Sequence, residues 1–136
     1  MVYAVIDTNV FVSAYLSHNM LSATTKVIDY MFNGRIVLLY NEEILEEYQE
    51  VLSRPHLHIS PRERDTLFEF IHRKGILLKR TTAAMTFIDE DDRVFYEISL
   101  SREGSFLITG NTKHYPHVSK VVTPAQMIEI IDKQKS

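Results

Sequence analysis

Residues 2–7 read VYAVID, a short apolar run that ends at an acidic side chain, Asp7. An unbroken apolar run of this length is typical of a strand buried on both faces, as in a parallel sheet. The same pattern recurs at residues 36–40, 76–78 and 106–108, and more weakly at Val121 and Val122. The opening run therefore predicts the first strand of a parallel sheet, with Asp7 directly after its carboxyl end.

Helix start signals lie between these candidate strands. Three of them combine a capping residue with the composition of a first helical turn: Asn41 before EEILEEYQEVL, Ser60 with Pro61 and Glu63, and Thr123 with Pro124 and Gln126. The resulting order, βααβααβαβα, predicts an α/β fold whose parallel sheet is covered by helices on both faces. With no internal repeat or linker, we expect one domain over residues 1–136.

The composition excludes several classes of protein. The chain has no cysteine, which excludes disulfides, thiolate zinc sites and cysteine nucleophiles. Its longest apolar runs are about six residues, far below the ~20 needed to cross a bilayer, so we expect no membrane span. The first residues predict a strand and not a signal peptide, and we therefore expect a cytoplasmic location.

The net charge of −3 bears on nucleic-acid binding. A protein that holds nucleic acid mainly by covering phosphates with lysine and arginine is expected to be basic. An acidic chain needs a local site that attracts phosphate. A divalent metal that bridges carboxylates to a phosphate provides such a site.

Acidic and amide side chains follow the predicted strands. Asp7 follows the first strand, Asn41 follows the second, residues 89–92 (DEDD) precede the helix that leads to the fourth, and Asn111 comes just after the fourth. Ligands of an open α/β sheet bind beyond the carboxyl ends of its strands, so we expect these side chains to gather at one edge. Each also has a plain structural alternative: Asp7 can cap the next helix, and DEDD can be a solvated helix start.

The glutamates of the predicted helix EEILEEYQEVL point to different sides of it, because each residue advances ~100° around the helix axis. Glu43, Glu46 and Glu50 lie opposite the apolar stripe and are expected in solvent. Glu42 and Glu47 both border the stripe, and the helical geometry does not choose between them. Carboxylates from three separate segments that meet at one sheet edge repel one another unless a cation is present. Oxygen ligands alone indicate a hard metal, Mg²⁺ or Mn²⁺.

Five blocks of the chain, in order, resemble the PIN-domain nucleases, especially the toxin components of type II toxin-antitoxin pairs. The blocks are VIDTNVFVSAYLS, ILEEYQEVLSRP, DEDDRVFYEIS, FLITGN and VVTPAQMIE, which together span nearly the whole sequence. The resemblance implies a three-layer α/β/α sandwich with a mostly parallel sheet. It also implies endonucleolytic cleavage of single-stranded RNA with Mg²⁺ or Mn²⁺, a small antitoxin protein as partner, and a homodimer or larger assembly.

The resemblance also assigns the site. It implies that Asp7, Glu47 and Asp92 hold the metal, which favours Glu47 over Glu42 and Asp92 over Asp91. Asn9 supports Asp7, and Asn111 stands where the family usually has a fourth aspartate.

The expected chemistry is attack of an activated water on a phosphodiester, with Glu47 as ligand or base. Thr109 and Asn111 are expected to orient water or phosphate, while Lys113 and His114 are candidates for contact with the RNA backbone. The simpler interpretation of His114 is an ordinary loop histidine.

Two other functions fit parts of the pattern. A PIN fold that has lost catalysis and only binds RNA or protein is compatible with Asn111. A phospho-acceptor receiver domain also gathers acids at a sheet edge, but it needs a pair of acids after the first strand, where this chain has Asp7 followed by Thr8 and Asn9.

Overall fold

The apolar runs of the sequence form the strands of one sheet. In the computed structural model, which describes residues 1–134, these strands are β1 (Val2–Ile6), β2 (Ile36–Tyr40), β3 (Ile76–Leu77), β4 (Phe106–Ile108) and β5 (Val121–Val122). Their spatial order is β3-β2-β1-β4-β5, and the pairs of described strands are all parallel. The weak fifth strand is therefore confirmed, and β3 is one residue shorter than predicted.

Six α-helices connect or follow these strands within the described residues. They are α1 (Thr8–Leu16), α2 (Ala23–Phe32), α3 (Glu42–Leu52), α4 (Pro61–Lys74), α5 (Arg93–Leu100) and α6 (Pro124–Gln134). Short 3₁₀ helices occur at Pro55–Leu57, Glu90–Asp92 and Thr112–His114.

The predicted helix starts are confirmed by their hydrogen bonds. The side chain of Asn41 accepts the amide of Ile44 at 2.9 Å and so caps α3. Ser60 and Glu63 form a reciprocal capping box at the start of α4. At α6 the bonds between Thr123 and Gln126 have the same reciprocal form. These bonds satisfy amide groups that a helix start otherwise leaves unpaired.

Helices cover both faces of the sheet, which confirms the α/β/α sandwich. Helix α5 packs across β1, β2 and β4, whereas α2 and α4 pack against β2 and α6 packs against α2. The central strand is accordingly buried on both faces, and Ala4, Val5 and Ile6 have no exposed surface. Each helix within residues 1–134 is too short or too polar to span a lipid bilayer.

Gly75 allows α4 to end directly against the sheet. An added Cβ at Gly75 would lie 2.7 Å from the carbonyl oxygen of Ile71 and 2.9 Å from a ring carbon of Tyr40. Its amide also donates to that carbonyl at 2.8 Å, so the backbone cannot move away without breaking a hydrogen bond. The absence of a Cβ at this position is thus needed for the close approach of α4 to β2.

We predict that Gly75→Ala destabilises the protein by about 2 kcal/mol, the range typical of an overpacked site. Gly110→Ala is the matched control, because no atom lies within 4 Å of an added Cβ there. Urea unfolding of both variants measures the difference. Equal stability of Gly75→Ala and Gly110→Ala would show that the contact between α4 and β2 does not require glycine.

Candidate active site

Asp7 lies at the end of β1, the strand from which the chain first adds strands on one side of the sheet and later adds them on the other. From β1 the chain builds β2 and β3 on one side, and it then returns to place β4 and β5 on the other side. Such a switch point leaves a crevice beyond the carboxyl ends of the two central strands, here β1 and β4. The amide of Asp7 donates to the carbonyl of Ile108 at 2.9 Å, which fixes Asp7 beside the end of β4.

The carboxylate of Asp7 is buried and held by hydroxyl groups. Asp7 is only 6% exposed, and its Oδ2 accepts hydrogen bonds from the hydroxyls of Thr109 at 2.8 Å and Tyr115 at 3.3 Å. Burial raises the pKa of this carboxyl, although the Thr109 hydroxyl and the nearby amides of Asn9 and Thr8 act in the opposite direction. Asp7 is the N-cap residue of α1, and the first amides of that helix act on its carboxylate, so its place at the helix start does not separate the capping interpretation from a metal-binding one.

Glu47 faces the same region from α3. It is half-buried, and its Oε2 accepts a short hydrogen bond from the hydroxyl of Thr8. Burial raises the pKa of Glu47, and the negative charges of Asp7, Asp91 and Asp92 raise it further. Those three charges act on Glu47 because the carboxylates occupy one end of the sheet.

The position of α3 distinguishes Glu47 from Glu42. The buried hydroxyl of Tyr48 donates to the carbonyl oxygen of Ile6, which ties the middle of α3 to the last residue of β1. Glu47 is therefore turned toward the end of β1, while Glu42 is exposed in the first turn. Tertiary packing thus separates two glutamates that the helical geometry alone treats as equivalent.

The four acidic residues at positions 89–92 have different structural roles. The side chain of Asp89 accepts the amide of Asp91 at 2.9 Å and caps the 3₁₀ turn. Glu90 is exposed and pairs with Arg93 at 2.6 Å. The solvated helix start proposed for the run therefore describes these members, but Asp92 is half-buried and turned inward.

Asp92 is coupled to the buried aspartate and to a histidine. Burial raises the pKa of Asp92, the negative charge of Asp7 raises it further, and a contact with His114 opposes both effects. In that contact Nδ1 of His114 lies 3.2 Å from Oδ2 of Asp92. His114 thus contacts one of the predicted site carboxylates, and its contact with RNA stays a prediction.

A buried glutamate anchors the segment that leads to Asp92. Glu97 on α5 accepts the amide of Ala83 at 2.8 Å and pairs with the guanidinium of Arg80 at 2.7 Å and that of Arg93 at 3.6 Å. Burial alone would raise the pKa of Glu97, but the amide and the two guanidinium groups outweigh it and hold the pKa below its ordinary value. The network fixes the loop against α5 and thereby limits the positions that Asp92 can take.

Three of the other predicted site residues, Asn9, Asn111 and Lys113, are exposed. The backbone amide of Asn111 donates to the Thr109 hydroxyl at 3.0 Å. Asn111 thus supports the hydroxyl that binds Asp7 through its backbone, an interaction that does not depend on its side chain.

The donor chemistry of the three carboxylates fits a hard divalent cation. Across residues 1–134, no lysine or arginine pairs with Asp7, Glu47 or Asp92, so positive side chains do not neutralise them there. The same residues contain no group of three acidic or histidine side chains that is already close enough to hold an ion. Mutual repulsion between ionised carboxylates favours such separation.

Two hydrogen-bond donors of this region were not identified from the sequence. Thr8 and Tyr115 donate to the carboxylates of Glu47 and Asp7. Thr8 gives a weak signal, since it follows the first acidic residue directly. Tyr115 gives none, because its partner lies 108 residues away in the sequence.

Comparison with known protein families gives one match. A family model described as a PIN domain matches residues 3–113. The curated proteins and the solved structures contain no match to the chain.

The buried charge of Asp7 predicts a gain in stability when it is removed. The folded-state pKa of Asp7 lies above its ordinary value of 3.8, so folding becomes less favourable as the pH rises from that value through the folded-state pKa. We predict that Asp7→Asn, without divalent metal at pH 7.5, gains on the order of 1 kcal/mol, or about 3 °C in melting temperature.

The gain should shrink as the pH falls toward 4, where Asp7 itself becomes neutral. Asp65→Asn, at an exposed position on α4, is the control and should leave the melting temperature unchanged. Calorimetry in EDTA measures both variants. A lower melting temperature for Asp7→Asn would mean that its hydrogen bonds outweigh the desolvation and repulsion of the charge.

Proposed function

The chain belongs to the PIN-domain family, and from this membership and its acidic sheet edge we propose that it is a metal-dependent endoribonuclease acting on single-stranded RNA. PIN domains are generally nucleases, which gives the reaction class. The observation that carries the proposal is the burial of Asp7 at the switch point, with Glu47 and Asp92 close enough that the charge of Asp7 raises the pKa of both.

Asp7, Glu47 and Asp92 hold the cation in this proposal. Bound Mg²⁺ or Mn²⁺ would offset charge on the scissile phosphate and lower the pKa of an attacking water. Raised pKa values make these carboxylates hold protons more tightly than ordinary ones, so the cation and protons compete for the same groups. Attraction to the cation also offsets the repulsion that keeps the side chains apart.

Glu47 is the best placed of the three to accept a proton. It is half-buried and its pKa is raised, which brings its basicity closer to that needed near neutral pH. The oxygen of water attacks phosphorus as the bond to O3′ breaks, and the departing O3′ takes up a proton. The products are a 5′-phosphate and a 3′-hydroxyl.

The neighbouring polar residues serve the substrate. Thr109 keeps Asp7 in place, and Asn9 and Asn111 border the site as polar supports for water or phosphate. Lys113 is exposed on the turn that also carries His114, where its positive charge can meet the RNA backbone. This local contact suits a chain whose net charge of −3 does not favour binding along a long stretch of phosphates.

A partner that covers the acidic edge would restrain such a nuclease. We propose a small antitoxin protein that places a basic side chain, most simply an arginine, among Asp7, Glu47 and Asp92, and an assembly of two or more copies of the chain. An arginine there satisfies carboxylates in place of the cation. Such a partner should compete with Mn²⁺ for the site, and an inhibitor that leaves Mn²⁺ affinity unchanged would refute this arrangement.

We predict that Asp7→Asn and Asp92→Asn each reduce RNA cleavage by more than about 100-fold, since each removes a direct ligand and not only its support. A labelled single-stranded RNA incubated with Mn²⁺ measures the rate, and EDTA should abolish it. Asp65→Asn controls for loss of a surface charge. Full cleavage by either site variant would remove that residue from the site, and a wild type that binds RNA without cleaving it would establish the noncatalytic alternative.

A second prediction places Asn111 relative to the cation. Asn111→Asp adds one negative charge to the site, which should strengthen cation binding by on the order of 1 kcal/mol. The variant should melt lower than wild type in EDTA, because a further carboxylate joins those that repel, and should gain more on addition of Mg²⁺.

Asn33→Asp is the control for this experiment. Asn33 ends α2 just before the amino end of β2, so the same added charge lies at the opposite edge of the sheet. Melting temperatures are measured with EDTA and with excess Mg²⁺. If the Mg²⁺-induced shift of Asn111→Asp does not exceed that of Asn33→Asp, Asn111 lies outside the site.

A further inference from the structure

The two hydroxyls that bind Asp7 donate to the same oxygen. Thr109 and Tyr115 both contact Oδ2, at 2.8 Å and 3.3 Å. A carboxylate oxygen has two lone pairs, so these donors fill the capacity of Oδ2. The backbone amides of Thr8 and Asn9 also act on this carboxylate, so hydroxyl and amide donors together fix it.

The hydroxyl of Tyr115 is held in place by packing. The Tyr115 residue is 4% exposed, and its ring meets that of Phe87 edge-on at a centroid distance of 6.4 Å. Phe87 is itself fixed between the guanidinium of Arg93 and the ring of Tyr96. The amide of Tyr115 also donates to Thr112 at 3.2 Å, so both ends of the residue are restrained.

We propose that Tyr115 is a positioning residue of the nuclease site, whose hydroxyl holds Oδ2 of Asp7 and so fixes the direction in which the Asp7 carboxylate meets the divalent cation. The proposal rests on the proposed function, since it concerns how Asp7 meets that cation. A carboxylate that is free to rotate meets a cation in many orientations, whereas a hydrogen-bonded carboxylate presents its oxygens in a fixed direction. Hydrogen-bonded supports of this kind set the orientation and affinity of metal ligands.

The position of Tyr115 suits a hydroxyl donor, because the residue is buried and its hydroxyl oxygen lies 3.3 Å from Oδ2 of Asp7. A phenylalanine would pack against Phe87 equally well, so the apolar contact does not explain the hydroxyl.

The neighbouring residue adds a related contact. His114 contacts Asp92, while Tyr115 contacts Asp7, so two consecutive residues reach two carboxylates that come from distant parts of the chain. The turn at Thr112–His114 places them, and the backbone amide of Asn111 supports Thr109 from the same segment. The segment from Thr109 to Tyr115 thus sets where both aspartates lie.

Tyr115→Phe removes one oxygen atom and keeps the ring, so it tests the hydroxyl alone. Mn²⁺ is titrated into the variant and the wild type by calorimetry, and RNA cleavage is measured over a range of Mn²⁺ concentrations. We expect the Kd for Mn²⁺ to rise about 10-fold, as is typical for loss of a hydrogen bond to a metal ligand. At limiting Mn²⁺ the kcat should fall while KM for RNA stays unchanged, and excess Mn²⁺ should restore kcat.

Tyr96→Phe is the matched control, because its ring packs against the same Phe87 and its hydroxyl is not among the donors to Asp7. This variant should bind Mn²⁺ like wild type, and thermal melting checks that both variants fold. An unchanged Kd in Tyr115→Phe overturns the role of Tyr115 and leaves the proposed nuclease standing. A wild type that binds no Mn²⁺ overturns both.

Discussion

The burial of the Asp7 carboxylate is the constraint on which the rest of the site depends. Removing an ionised group from water is unfavourable, and the raised pKa of Asp7 records the net effect after its hydrogen bonds are counted. Asp7 sits at the end of the central strand, where its amide is already committed to Ile108. The side chain therefore cannot reach solvent by a small backbone shift, and neighbouring elements must supply its hydrogen-bond donors.

Each neighbouring element supplies one such partner or one further charge. Strand β4 brings Thr109, the following turn brings Tyr115, and α3 brings Glu47 through the bond between Tyr48 and the end of β1. The Glu97 network holds the loop whose end carries Asp92. An arrangement that concentrates like charges is less stable than a neutral one, which is the usual relation between a functional site and the stability of its fold.

The sequence predicted the fold well because its signals are local. Apolar runs marked all five strands, and the side-chain bonds of Asn41, Ser60 and Thr123 formed at the helix starts where they were expected. These features need only neighbouring residues, so they can be identified without knowledge of tertiary contacts.

The site was harder to predict because its contacts join distant segments. Helical geometry gave Glu42 and Glu47 the same angle from the apolar stripe, and only the docking of α3 on β1 separates them. Within the acidic run, the inward turn of Asp92 depends on the packing of the preceding loop. Tyr115 could not have been identified as a site residue, because the sequence around it gives no sign of its contact with Asp7.

We propose that Asp7, Glu47 and Asp92 together hold a divalent cation. A crystal structure of the wild-type protein grown with Mn²⁺, with anomalous diffraction measured at the manganese edge, tests it most directly. We expect a peak beyond the carboxyl ends of β1 and β4, within ligand distance of an oxygen of Asp7 and an oxygen of Asp92, with Glu47 bound to the ion directly or through a water. A Mn²⁺ peak only elsewhere, with no ion beside Asp7, would contradict this.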